Sequence, residues 1–140
     1  MIIRLQQHTS EIQWEQVPEI LKKVGMSYHA SEIHQKAFEN SFSVVFVFDD
    51  EKMVGFGRAI SDGAYQAAIY DVAVLPDYQG KGIGKIIVNA LVESCPNCNF
   101  VLYAAPGKDK FYEKFNFRRM KTGMALFTDI ERMKNRGFTE

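Results

Sequence analysis

The stretch that most limits what this chain can become is Pro76-Asp-Tyr-Gln-Gly-Lys-Gly-Ile-Gly84. It closes a long strand-like run, Tyr65 to Leu75, and opens directly into a helix. On that helix Ile83, Ile86, Ile87, Ala90 and Leu91 share one face at i, i+3, i+4, i+7 and i+8. A strand that breaks in a glycine-rich turn and restarts as a helix forms an anion site. The first helical turn carries N–H groups with no intrahelical partner and the positive end of the helix dipole. Gly80, Gly82 and Gly84 let an anion approach the backbone without meeting a Cβ, and Lys81 and Lys85 add charge nearby.

Two well-known phosphate loops do not fit. Aligning G-x-x-x-x-G-K-[ST] on Gly84-Lys85 puts Gln79 where the first glycine belongs and Ile86 where the magnesium-binding hydroxyl belongs. The dinucleotide fingerprint G-x-G-x-x-G fails as well: from Gly80 its last position falls on Lys85, and from Gly82 on Ile87.

The apolar pattern around this corner alternates between strand and helix periods. Ile2 to Gln6 predicts a short first strand, and Trp14 to Val24 a helix capped by Gly25. Ser31 to Asn40 predicts a second helix, with Ser31 at its N-cap and Ile33, Ala37 and Phe38 facing the core. Phe42–Phe48 and Met53–Ile60 predict a hairpin around a charged turn. Beyond the central helix, Phe100 to Ala104 predicts a strand and Lys108 to Phe115 a short helix. Arg118–Met120 and Met124–Asp129 predict a closing pair of strands, and the polar tail Glu131 to Glu140 is expected to fray.

With this layout in place, Gln79-Gly-Lys-Gly82-Ile-Gly84 resembles the Q/R-x-x-G-x-G/A loop of the GNAT acetyltransferases at every fixed position. Asp71-Val-Ala-Val74-Leu-Pro76-Asp-Tyr78-Gln79 resembles the strand that leads into that loop, and Phe111-Tyr112-Glu-Lys114-Phe-Asn-Phe117 resembles the family's F-Y-E-K-x-G-F segment. The resemblance covers roughly residues 42 to 128. It departs at Asn116, where the family usually has glycine and the turn must take a left-handed residue, and at Ala105, where many members carry asparagine. It implies an α/β (α+β) GNAT fold in one domain over residues 1–140, with a mixed, mostly antiparallel sheet of six to seven strands and about four helices.

It also implies roles. The co-substrate is acetyl-CoA, with no metal. Gln79, Gly80, Lys81, Gly82, Ile83, Gly84 and Lys85 would bind its pyrophosphate. Val72, Ala73 and Val74 would pair with the pantetheine arm, and an N–H near Val72 would polarise the thioester carbonyl. Tyr112 matches the general acid that protonates the departing thiolate and also lies against the cofactor. The acceptor amine must lose a proton before it attacks, for which Asp71 is the best-placed carboxylate, with Tyr70 acting through water as an alternative. Strict alternation puts Asp71 on the opposite sheet face from Tyr70 and Val72. Arg58, Tyr28 and His29 are candidates to line the acceptor side.

Lys plus Arg and Asp plus Glu each number 17 in 140 residues, so no broad basic field favours nucleic acid. That balance and the scarcity of loop to shape an acceptor groove favour a small-molecule amine, with a protein or peptide acceptor, or a non-catalytic acyl-CoA sensor, as alternatives. No apolar run approaches a membrane span, and the start lacks the features of a secretion signal. The expectations are a cytoplasmic protein, no nucleic-acid or membrane partner, and a homodimer as one assembly open to it. Cys95-Pro-Asn-Cys98 sits where a helix ends, which suits idle thiols better than a redox pair or half a zinc site.

Overall fold

The computed structural model describes all 140 residues. They divide into two compact units, Met1–Leu102 and Tyr103–Glu140. In the first unit the elements run β1 (Ile3–Gln6), α1 (Gln16–Lys23), α2 (Ser31–Glu39), β2 (Ser43–Asp49), β3 (Lys52–Ser61), β4 (Gln66–Val74), a single 3-10 turn (Pro76–Tyr78), α3 (Ile83–Ser94) and β5 (Asn99–Val101). The five strands form one sheet in the order β1-β2-β3-β4-β5. The first three pairings are antiparallel, and β5 runs parallel to β4.

Both faces of the central strands are covered, which is why β2 reads as an unbroken apolar run rather than an alternating one. On one face Phe46 and Phe56 stand opposite each other in register and take the Phe38 ring of α2 at centroid distances of 5.2 and 5.7 Å. Trp14 closes over the same cluster, 5.9 Å from both Phe38 and Phe46. The other face of β3 is presented by Gly55 and Gly57. A Cβ built on Gly57 would fall 2.7 Å from Ile87 Cγ2 and 3.2 Å from Leu91 Cδ1, so the missing side chain is what lets α3 lie directly on the strand.

The buried face of α3 is Ile83, Ile87, Val88 and Leu91; Ile86, expected inside, is at the surface. Two expectations for α2 also change. Its N-cap is Ala30, not Ser31, whose hydroxyl turns to the Glu32 carboxylate. Its buried positions are His34 and Phe38, while Ile33 is exposed. α1 ends as the sequence suggests, with the Gly25 and Met26 N–H groups donating to the Lys22 and Leu21 carbonyls.

The second unit holds α4 (Asp109–Glu113) and α5 (Ile130–Asn135). Asn116 is left-handed, at φ 69°, as the missing glycine required. The expected closing strands are absent: residues 118–128 form no ladder, and Met124 and Leu126 are almost wholly exposed. An alternating apolar row becomes a strand only when another strand supplies its hydrogen bonds, and here none does. The expected frayed tail is instead the helix α5, started by Asp129, whose carboxylate accepts from the Arg132 N–H at 3.1 Å. The result is a mixed, mostly antiparallel sheet of five strands with five helices, in place of six to seven strands and four helices.

Candidate active site

The chain between β4 and α3 is held open by its own backbone. Gly80 and Gly82 lie in the left-handed region, at φ 76° and 86°, and nothing stands within 4 Å of where either Cβ would be. Gly82 is the N-cap of α3 and offers no side chain to the first-turn N–H groups of Ile83, Gly84 and Lys85, which therefore face outward as donors for an anion. Two side-chain bonds brace this turn. The Gln79 amide donates to the Val74 carbonyl at 2.9 Å, and the Tyr78 hydroxyl donates to Asp49 at 2.7 Å. Asp49 also accepts from the Ile2 N–H, and these two bonds hold its carboxyl below the usual carboxylate range. Lys52 and Lys81 each place an ammonium 5.4 Å from the Tyr78 ring.

The leading strand is open along one side. β5 pairs with β4 only from Gln66 to Ala68, so from Ile69 to Val74 the far edge of β4 has no strand partner. Val72, Ala73 and Val74 lie on that stretch.

One residue earlier the strand is irregular. Between Arg58↔Tyr70 and Phe56↔Ala73 the register of β3 against β4 slips by one residue, leaving Asp71 and Val72 opposite Gly57. Asp71 is left-handed there, at φ 59°. This is a β-bulge, and it overturns the alternation expected of Asp71. The left-handed turn swings its carboxylate to the side where Tyr70 lies. Arg58 Nε donates to Asp71 Oδ2 at 2.7 Å, and the same guanidinium stands 5.3 Å from the Tyr70 ring and 5.8 Å from the Phe38 ring. Its Nη1 reaches the Ser41 hydroxyl at 3.4 Å. The side chains of Arg58 and Asp71 retain 14% and 24% of their exposure, so the pair is largely shielded but still open to a ligand.

Thus Arg58, Tyr70 and Asp71 come together as one group. Tyr28 and His29 sit on the exposed loop between α1 and α2, and the His29 backbone N–H donates to the ring of His34 at 2.9 Å. His34 is the buried polar residue of the core, and burial first, then the charges of His29 and Arg58, hold it below its ordinary 6.5 against the pull of Asp71. Sequence reasoning passed over His34, although its spacing of four from Phe38 puts both on one helix face.

Tyr112 belongs to the second unit. Its ring contacts Phe111 and Phe117, and burial raises its hydroxyl above the ordinary 10.0. A tyrosine so placed stays protonated at neutral pH and can donate. No group of three His, Cys, Asp or Glu side chains is placed to hold a metal ion, and no helix is long and apolar enough to cross a membrane.

The profile of the acetyltransferase (GNAT) family matches residues 7–117. The chain belongs to the GNAT family. It is an acetyl-CoA-dependent N-acetyltransferase. The match takes in α1 and α2, which the motifs alone left outside the resemblance. An uncharacterized N-acetyltransferase, ycf52, of Pyropia yezoensis is 30% identical over 126 residues, covering 88% of this chain and 68% of that protein. A chloroplastic serotonin N-acetyltransferase of Oryza sativa is 30% identical, over 84% of this chain and 64% of its own length. A shorter match, to 54% of this chain, is a histone acetyltransferase of Glycine max, 33% identical over 34% of its length. Among solved structures, a candidate acetyltransferase of unknown function from Staphylococcus aureus superposes with a TM-score of 0.76 at 26% identity, over 89% of this chain and 99% of that one.

Proposed function

We propose that this acetyltransferase acts on a small primary amine, which attacks directly while both substrates are bound. The observation that carries the reading is the bulge at Asp71. It sets a carboxylate with residual exposure beside the Tyr70 ring, a combination that suits an ammonium group on a compact, partly apolar molecule. The small-amine substrate in the name of the Oryza sativa relative agrees with it, and the zero net charge gives no general attraction for polyanions.

Each residue then has a task. The left-handed Gly80 and Gly82 leave the backbone free of side chains, so the N–H groups from Gly80 to Lys85 can hold a pyrophosphate. The open edge of β4 from Val72 to Val74 fits an extended arm laid alongside as an added strand. Bound acetyl-CoA supplies the thioester whose acetyl group moves to the amine. The bulge takes the N–H groups near Val72 out of the regular ladder, which frees a donor to polarise a carbonyl. Asp71 attracts the ammonium and, alone or through Tyr70 and water, receives its proton. Arg58, already committed to Asp71, orients that carboxylate rather than binding an acidic group on the substrate. Tyr112 donates the proton that the departing sulfur requires. The protein works as one catalytic domain over residues 1–140, for which a cytoplasmic location is the simplest setting.

The test is a thiol-release assay with acetyl-CoA against small amines and short peptides at matched concentration. Small aromatic or polar amines should give the highest kcat/KM. Peptides more than tenfold better than every amine would make this a protein acetyltransferase, and acetyl-CoA binding without turnover of either would make it a sensor.

A further inference from the structure

We infer that His34 is a positioning residue for the acceptor side of the site, holding the Tyr28–His29 segment in place through an unprotonated ring nitrogen. The inference rests on the reading above, in which Tyr28 and His29 border the acceptor amine.

The geometry is a helix cap made from inside the helix. α2 begins at Ser31 with Ala30 as its N-cap, and neither supplies a side-chain cap. His34, one turn in, reaches back instead, and its Nε2 accepts the His29 backbone N–H at 2.9 Å. A capping box uses a glutamate or glutamine in the same way, with a side chain from the first turn accepting an N–H that precedes the helix. His34 is 4% exposed, so the bond is shielded from water, and its ring lies 5.6 Å from that of His29. The segment it ties down is exposed: Tyr28 keeps 49% of its surface. A solvent-facing loop is therefore tied to a buried side chain of the core.

An imidazole accepts a hydrogen bond only at an unprotonated nitrogen. If His34 takes a proton, Nε2 becomes a donor facing a donor, and the anchor is lost. The charged and titratable groups around His34 are Asp71 from β4, Arg58 from β3 and His29 from the loop itself. Arg58 and His29 resist the proton and Asp71 invites it, while burial works against it. Asp71 is held by Arg58, so an acceptor ammonium that draws on Asp71 would further weaken the one partner that favours protonation. His34 should therefore remain neutral at and above pH 6.5, and the loop should loosen as the pH falls through its lowered value.

The experiment compares the parent enzyme with His34→Gln and His34→Leu, using acetyl-CoA and the best amine from the acceptor screen. Glutamine can put an amide oxygen where Nε2 stands, and it does not titrate. The ratio of acceptor KM, parent over His34→Gln, removes the acceptor's own ionisation. It should stay within about twofold at pH 8, rise as the pH falls through the His34 transition, and level off at the ratio that His34→Leu shows over His34→Gln. His34→Leu should raise the acceptor KM over that of His34→Gln at every pH, and over the parent's only above the transition, while the acetyl-CoA KM holds. Hydrogen exchange at the His29 amide should be slow in the parent and in His34→Gln at pH 8, and fast in His34→Leu. A flat KM ratio overturns the inference. So does an unchanged acceptor KM in His34→Leu once its His29 amide exchanges freely. If no amine turns over, the acceptor reading itself has failed, and the exchange data then show only whether the anchor exists.

Discussion

Gly57→Ala adds one methyl group at the point where the sheet, the central helix and the bulge meet. The new carbon would lie 2.7 Å from Ile87 Cγ2 and 3.2 Å from both Leu91 Cδ1 and Val72 Cγ2. Carbon atoms in contact rest about 3.5–4.0 Å apart, so the closest approach is short by about 1 Å. Ile87 and Leu91 are completely buried, and a branched carbon in a packed core cannot swing aside without disturbing its neighbours. Overpacking of this kind costs about 1–3 kcal/mol. With an unfolding entropy of about 2.1 cal/mol/K per residue, a chain of 140 residues should lose about 3–10 °C in Tm. Part of the strain falls on Val72, so the acetyl-CoA KM should rise as well. Thermal unfolding of Gly57→Ala, Ile87→Ala and the double variant isolates the contact. Ile87→Ala removes Cγ2, so the double variant should be less destabilised than the sum of the two, by about 0.5–3 kcal/mol. A Tm for Gly57→Ala equal to the parent's, or strict additivity in the cycle, would refute the claim that Gly57 is there for close packing.

Tyr112→Phe should lower kcat by about 10²–10⁴ with acetyl-CoA affinity retained, and parental turnover would make the hydroxyl structural. Because burial raises the Tyr112 pKa, its loss as an acid should appear in the parent's kcat profile only above pH 10. Acetyl-CoA should raise the Tm of the parent by binding the folded state, and Gly82→Val should abolish that rise, since a β-branched residue at φ 86° is disfavoured by about 1–2 kcal/mol or more and its side chain projects into the open cradle. An undiminished rise would mean that the loop is not the phosphate site. Asp71→Asn keeps a residue that tolerates the left-handed conformation but removes the charge; acceptor kcat/KM should fall at least about tenfold with little change for acetyl-CoA. His34 contributes stability in full above pH 6.5 and loses it as the pH falls through its lowered value, so denaturant midpoints taken from about pH 7.5 to pH 5 should fall less steeply in His34→Leu.

Where the fold was legible, one element carried its own instructions. The glycine turn at Gly80–Gly84 and the helix it opens need no information from elsewhere, and they stand where the sequence suggests. β1 and the β2–β3 hairpin also stand where the sequence puts them, but other features that only a neighbour decides were misread. Met120, Met124 and Leu126 alternate as a strand should, yet no other strand offers them a ladder. The inward rows of α2 and α3 turned out to be His34 with Phe38, and Val88 in place of Ile86. The set of apolar residues leaves that rotation undetermined by one position; the neighbour each helix lies on decides it. The last helix was missed although its signal was local. Asp129 is a good N-cap, but the polar residues after it bury nothing to confirm a helix face.

The site turns on the same distinction. Alternation along β4 predicts opposite faces for Tyr70 and Asp71, and that prediction assumes a regular strand. A left-handed residue resets the alternation, and nothing next to Asp71 in the sequence announces it beyond aspartate's tolerance for that conformation. The reasons lie on the neighbouring strand. Gly57, opposite the bulge, leaves room for Val72 on the helix side, and Arg58 then supplies the guanidinium that holds the displaced carboxylate. Each of these residues has an ordinary meaning by itself: a glycine in a strand, a surface arginine, an aspartate at a strand end. Only register makes them one device, and register is a property of two strands together. The ion pair also accounts for how the strain persists. A left-handed aspartate costs on the order of 1–3 kcal/mol, and a charge-assisted hydrogen bond in a shielded setting returns a similar amount, so the bulge can be held without further support from a ligand. The carboxylate would then be in position before the amine arrives.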